Sequence, residues 1–154
     1  LPLRQTTNRP DAEIRRIAAE KLALVGLEGA GDKLPADISG GMRKRVGLAR
    51  AIATQPEIIL YDEPTSGLDP LISRQIDLLI DDLRRRLGVT SVVVTHDLYS
   101  ALGIGTRVAM LHEGRFVVCA PPAEFVASEH PVVRDFLRAQ GIAGLEDVRK
   151  AFGK

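Results

Sequence analysis

Four short groups of residues could do chemistry. Ile38-Ser39-Gly40-Gly41-Met42 stands at a helix start. Serine is a good N-cap, and two glycines bare the first-turn amides, so an anion could approach the positive end of the helix dipole. The same residues could equally be an ordinary capped helix entry. Asp62 and Glu63 follow the apolar run Ile58-Ile59-Leu60-Tyr61, at the carboxyl end of a strand, where open α/β sheets bind ligands. Asp62 suits magnesium, a hard cation that takes one or two carboxylates plus phosphate oxygens. Glu63 suits a general base or a water-positioning group. A solvated turn would also use Asp-Glu-Pro-Thr. His96 follows Ser91–Thr95 and could donate to a phosphate oxygen, although a lone histidine is more often structural. Asp69, in Ser66-Gly67-Leu68-Asp69-Pro70, reads alone as a helix cap.

The elements that must position these groups follow from periodicity. Ile14, Ile17, Ala18, Leu22 and Val25 predict an amphipathic helix over Asp11–Val25, stopped by Gly26. Glu28–Asp37 is rich in glycine, proline and charge and predicts a loop. A second helix is predicted from Ser39 to about Ala53, with Met42, Val46, Ala49 and Ala53 on one face and Arg43, Lys44 and Arg50 on the other. Glu57–Tyr61 and Ser91–Thr95 are continuous apolar runs of the kind that parallel strands covered on both faces show. Between them, Ile72, Ile76, Leu79, Ile80, Leu83 and Leu87 predict a helix ended by Gly88, which gives a right-handed βαβ unit. Val108–Leu111 and Phe116–Cys119 flank Glu113-Gly114 as a hairpin, and Pro131–Leu137 is a short helix. Leu1–Pro10 shows no clear apolar periodicity, and Gly141–Lys154 reads either as a dimer-contacting tail or as a frayed end.

Composition narrows the class. With 154 residues, 45% of them hydrophobic, the chain can bury a core and is not of disordered composition. Twenty-one Lys and Arg against 20 Asp and Glu leave a net charge of +1, so there is no bulk attraction to nucleic acid or anionic lipid. The single cysteine, Cys119, excludes an internal disulfide framework and a multi-cysteine zinc site. It is expected to be a buried or half-buried hairpin residue. No apolar run reaches the length of a membrane span, and no secretory pattern opens the chain.

Taken in order, Ser39-Gly40-Gly41, Asp62-Glu63, Asp69 and His96 form one constellation that resembles the ATP-binding-cassette (ABC) ATPases. In that resemblance Ile38–Met42 matches the signature motif, with Ile and Met where Leu and Gln are commonest. Tyr61-Asp62 closes the Walker B strand, Glu63 takes the catalytic glutamate position, Ser66–Asp69 is the D-loop and His96 is the switch histidine. The resemblance covers roughly Val25 to Ala120. It implies an α/β fold belonging to the C-terminal part of a P-loop NTPase core. Residues 1–55 would end the helical subdomain, 56–120 would form the second half of the core, and 121–154 would be a helical tail. The wording Ser39–Ala51 with Leu60–Pro70, and His130-Pro131 followed by Val133–Leu137, is similar to the ATPases of Mla-type phospholipid (toluene-tolerance-like) transporters.

The resemblance further implies ATP and Mg2+ as ligands, a homodimer with a second ATPase subunit, permease subunits as partners, no nucleic acid, and a cytoplasmic place on the inner face of the cell membrane. Ser39, Gly40 and Gly41 would meet the γ-phosphate held by the partner subunit, and Asp62 would hold magnesium. Glu63 and His96 would be catalytic, and Asp69 would couple the two sites. No G-x-x-x-x-G-K-[ST] loop is present. Gly26–Lys33 is no substitute, because Asp32 would repel phosphates and a helix precedes it. By resemblance the P-loop would fall before Leu1, so the chain alone is expected to hydrolyse ATP negligibly. Two other readings stand beside this one. One is a non-catalytic subunit lending its signature to a partner; the other is the C-terminal lobe of a chromosome-maintenance or DNA-repair ATPase, against which the short Asp11–Val25 helix and the balanced charge both argue.

Overall fold

A computed structural model describes residues 2–152. Its internal contacts divide the chain into two compact units, Leu1–Val94 and Thr95–Lys154.

The first unit contains α1 (Pro2–Thr6), α2 (Asp11–Leu24), a 3-10 turn (Pro35–Asp37), α3 (Gly40–Ile52), β1 (Ile58–Asp62), α4 (Pro70–Leu87) and β2 (Thr90–Val94). β1 and β2 pair in parallel, Ile58 opposite Thr90 through Asp62 opposite Val94, with α4 as the connection. Each helix has a readable start and stop. Ser39 and Asp69 cap α3 and α4 with their side chains, Pro70 stands in the first turn of α4, and Gly88 ends that helix in the left-handed conformation. Ile76, Ile80 and Leu83 of α4 are buried, as are Leu48, Ala49 and Ile52 of α3. The segment before Pro10, which lacks periodicity, nevertheless forms α1 and buries Leu3.

The strands differ from the expectation of cover on both faces. Ile59 and Tyr61 are buried, but Ile58 is 58% and Leu60 76% exposed, with Val92 at 48% and Val94 at 59% on β2. Alternate residues of a strand point to opposite faces. Only one face of this pair is covered among the described residues.

The second unit contains α5 (Leu98–Ile104), β3 (Val108–His112), β4 (Arg115–Ala120), α6 (Pro122–Val126), α7 (Pro131–Ala139) and α8 (Leu145–Phe152). β3 and β4 form the expected antiparallel hairpin, with an irregularity between Met110 and Leu111. Glu113 and Gly114, at φ 47° and 76°, make a two-residue turn whose twist matches the flanking strands. The core gathers Leu98, Leu102, Val108, Phe125, Val133, Leu137, Ile142 and Val148. Residues 142–148 are therefore integral to this unit's core, which neither reading of the chain's end anticipates; residues 153–154 lie outside the described residues. Cys119 is exposed rather than buried. It pairs with exposed Ala109, whereas Val108, Met110, Val118 and Ala120 turn to the core, so the cysteine sits on the outer face of the hairpin.

Candidate functional site

In the first unit, the start of α3, the end of β1 and the turn before α4 come together. Ser39 Oγ accepts from the Met42 amide at 3.3 Å, and the Arg43 guanidinium donates to the Ile38 carbonyl at 2.7 Å, which fixes the entry of α3. A Cβ placed on Gly41 would stand 2.9 Å from Ile72 Cγ2, and one on Gly40 would stand 3.4 Å from Leu68 Cδ2. Gly41 therefore lets α3 close on the first turn of α4, whereas a Cβ on Gly40 would only touch the Ser66–Asp69 turn at ordinary contact distance. This packing reason is separate from the bare-amide reason read from sequence.

Asp69 Oδ1 accepts from the amides of Leu71 and Ile72, both at 3.0 Å. The carboxylate that the family resemblance assigns to coupling acts here as a helix cap. Asp62 is exposed at the last position of β1. A single carboxylate is the donor chemistry that can hold magnesium together with substrate phosphates; among the described residues no group of three or more His, Cys, Asp or Glu could hold a metal ion.

Glu63 takes φ 45°, the left-handed region, as a non-glycine residue. Such a conformation costs on the order of 1–3 kcal/mol and persists only where its surroundings hold it. Here its amide donates to Val94 O at 2.9 Å, extending the β1–β2 ladder by one bond, and its carbonyl accepts from Ser66 N at 3.2 Å. The Lys44 ammonium, from the second turn of α3, also donates to that carbonyl at 3.0 Å. Beside it, Tyr61 is buried; desolvation raises its phenol above the ordinary tyrosine range, and the neighbouring Ser91 hydroxyl partly offsets this.

His96 belongs to the second unit and is exposed. Gln140 clamps its turn, donating through Nε2 to His96 O at 2.8 Å and accepting through Oε1 from Leu98 N at 3.1 Å. Asp97 caps α5, its Oδ1 accepting from the Tyr99 amide at 2.9 Å and the Ser100 amide at 3.3 Å. Of the sequence-derived residues, the first unit thus brings together Ser39, Gly40, Gly41, Asp69, Asp62 and Glu63, with His96 held on the second. Lys44 and Gln140 are missed by sequence reasoning. Lys44 appears there only as part of a polar helix face, and nothing near Gln140 signals its reach across 44 positions.

Comparison with known proteins places these features in context. The family model described as ABC transporter matches residues 3–66. The chain is 45% identical over 141 residues to the probable ribonucleotide transport ATP-binding protein mkl of Mycobacterium tuberculosis, covering 92% of this chain and 39% of that protein. It is 42% identical over 146 residues to the methionine import ATP-binding protein MetN of Cereibacter sphaeroides, covering 94% of this chain and 40% of that one. The chain thus spans about two fifths of the length of the curated relatives it matches. Among solved structures, the ADP conformation of MJ1267, an ATP-binding cassette of an ABC transporter, superposes with a TM-score of 0.74 at 23% identity, covering 89% of this chain and 54% of that chain. At that identity the likeness concerns the fold.

Proposed function

We propose that the chain belongs to the ATP-binding family of ABC transporters and is part of the subunit that binds and hydrolyses ATP to drive transport. The observation that carries this reading is the convergence of α3's first turn, the Asp62-Glu63 strand end and the Asp69 turn in one unit, with Glu63 held in a left-handed conformation.

In the proposed mechanism, the Ser39-Gly40-Gly41 amides at the positive end of α3 bind the γ-phosphate of ATP seated on a second, head-to-tail subunit. Glu63 orients the attacking water and accepts its proton, and His96 donates to a γ-phosphate oxygen as charge develops. Asp62 would hold a magnesium ion, which when bound neutralises phosphate charge. Asp69 stands where the two subunits meet. Catalysis of this kind is positioning plus electrostatics, and closure and opening of the dimer would move permease subunits in the membrane. A peripheral place on the cytoplasmic face beside such subunits follows from the family resemblance; among the described residues no helix is long and apolar enough to cross a membrane.

For the cargo we propose phospholipid, on the Mla-like wording of Ser39–Ala51 and Leu60–Pro70. The names of the relatives set ribonucleotide and methionine against it. The test is ATP turnover by the natural full-length protein in its assembled complex, with phospholipid vesicles, ribonucleotides or methionine added in turn. Glu63→Gln should reduce turnover by about 10²-fold or more. Unchanged turnover in that variant would remove the catalytic reading, and stimulation by ribonucleotide or methionine alone would replace phospholipid as cargo.

A further inference from the structure

The Glu63 peptide is gripped on both sides. Its amide is tied to β2 through Val94 O at 2.9 Å, and its carbonyl accepts from Ser66 N at 3.2 Å and from Lys44 Nζ at 3.0 Å. Of these three bonds only the last is charge-assisted, and such bonds are shorter and stronger than neutral ones. Lys44 is half-buried, where weaker screening strengthens the bond further. It is also the only one of the three whose donor lies on a helix. α3 cannot move closer to compensate for a shorter side chain, because Gly41 already stands against Ile72 with no room for a methyl group. The φ of Glu63 sets the direction in which its side chain leaves the strand end, so whatever holds that peptide also aims the carboxylate.

We propose that Lys44 is a positioning residue for hydrolysis: its ammonium holds the Glu63 peptide in the left-handed conformation that aims the carboxylate, and ties that aim to the placement of α3. The inference rests on the ATPase reading above. It adds a link inside one subunit between the helix that serves one ATP and the glutamate that serves the other. Because Lys44 acts through the Glu63 peptide, its loss disturbs the chemical step and leaves ATP affinity alone.

The experiment measures kcat and KM for MgATP in the natural full-length protein and its complex, comparing wild type, Lys44→Met, Lys44→Arg and Glu63→Gln. Lys44→Met keeps the stem and removes the donor. Its kcat should fall about tenfold or more, the scale of a lost charge-assisted hydrogen bond, with KM within about twofold of wild type. Lys44→Arg, which can still donate to the carbonyl, should recover most of the rate. A Lys44→Met kcat within about twofold of wild type, a loss expressed in KM instead, or an arginine variant as impaired as the methionine one would each overturn the proposal. Should Lys44→Met fail to fold, Lys44→Leu, which likewise removes the donor, takes its place, and an undiminished kcat there overturns it equally. Glu63→Gln separates the two levels. If it turns over like wild type, the ATPase reading falls and Lys44 with it; if it is inactive while Lys44→Met is normal, only the Lys44 step falls.

Discussion

Gly41→Ala is the substitution whose consequence the geometry defines best. The new methyl would lie 2.9 Å from Ile72 Cγ2, against about 3.5–4.0 Å for relaxed carbon–carbon contact. Isoleucine is β-branched and strongly restricted in χ1 on a helix, so Cγ2 cannot swing aside cheaply. Overpacking of this kind costs about 1–3 kcal/mol. Opposing it, replacing glycine by alanine in a helix gains about 0.5–1 kcal/mol in an interior position, and less at the first turn. The balance predicts net destabilisation of about 1–2 kcal/mol, read as a lower denaturant midpoint at unchanged m-value.

The decisive arm repeats the substitution in an Ile72→Ala background. There the opposing methyl is gone, and Gly41→Ala should become neutral or stabilising by up to about 0.5 kcal/mol. The sign change corresponds to a coupling of about 1–2 kcal/mol between positions 41 and 72, well above the roughly 0.3–0.5 kcal/mol scatter of independent sites. Equal effects in the two backgrounds would refute the packing argument. A variant of undiminished stability that nonetheless lost ATP turnover would return the glycine to the bare-amide reading alone.

Two further outcomes follow from particular groups. A Cβ on Gly105 would meet the Ala101 carbonyl at 2.4 Å and the Arg107 carbonyl at 3.2 Å; because backbone cannot step aside as a side chain can, Gly105→Ala should destabilise by about 2–3 kcal/mol in chemical denaturation. The raised pKa of buried Tyr61 means that folded and unfolded states bind this proton equally at neutral pH. As pH rises past the ordinary tyrosine range, the unfolded chain ionises first and stability falls until the folded phenol also ionises. Stability measured against pH should therefore decline more steeply on the alkaline side in wild type than in Tyr61→Phe.

What was legible in the sequence was periodic or chemically loud. The α4 helix shows its apolar stripe, its Asp69 cap and its Gly88 stop within one stretch of chain, so its bounds differ from expectation only at the first turn. β1 and β2 were legible as strands, but a continuous apolar run is silent about which face is covered, and Ile58 and Leu60 are open. α5 was missed because seven residues offer too few repeats to reveal a period, with Asp97 before Leu98 the one cap signal available; α8 falls within the expected helical tail but has no period long enough to place its bounds. At the candidate site, the adjacency of Asp62 and Glu63 was plain. The left-handed turn at Glu63 was not, because no glycine or asparagine announces it and the hydrogen bonds that sustain it come from residues 44, 66 and 94.

The Gln140 clamp makes the turn at His96 a property of the far end of the chain. One amide side chain, just past α7, closes on both His96 O and Leu98 N, and α7 is itself seated by Val133 and Leu137 in a core that includes Ile142 and Val148. A substitution that shifts these last helices therefore moves the backbone at a position more than forty residues earlier without altering any residue around it.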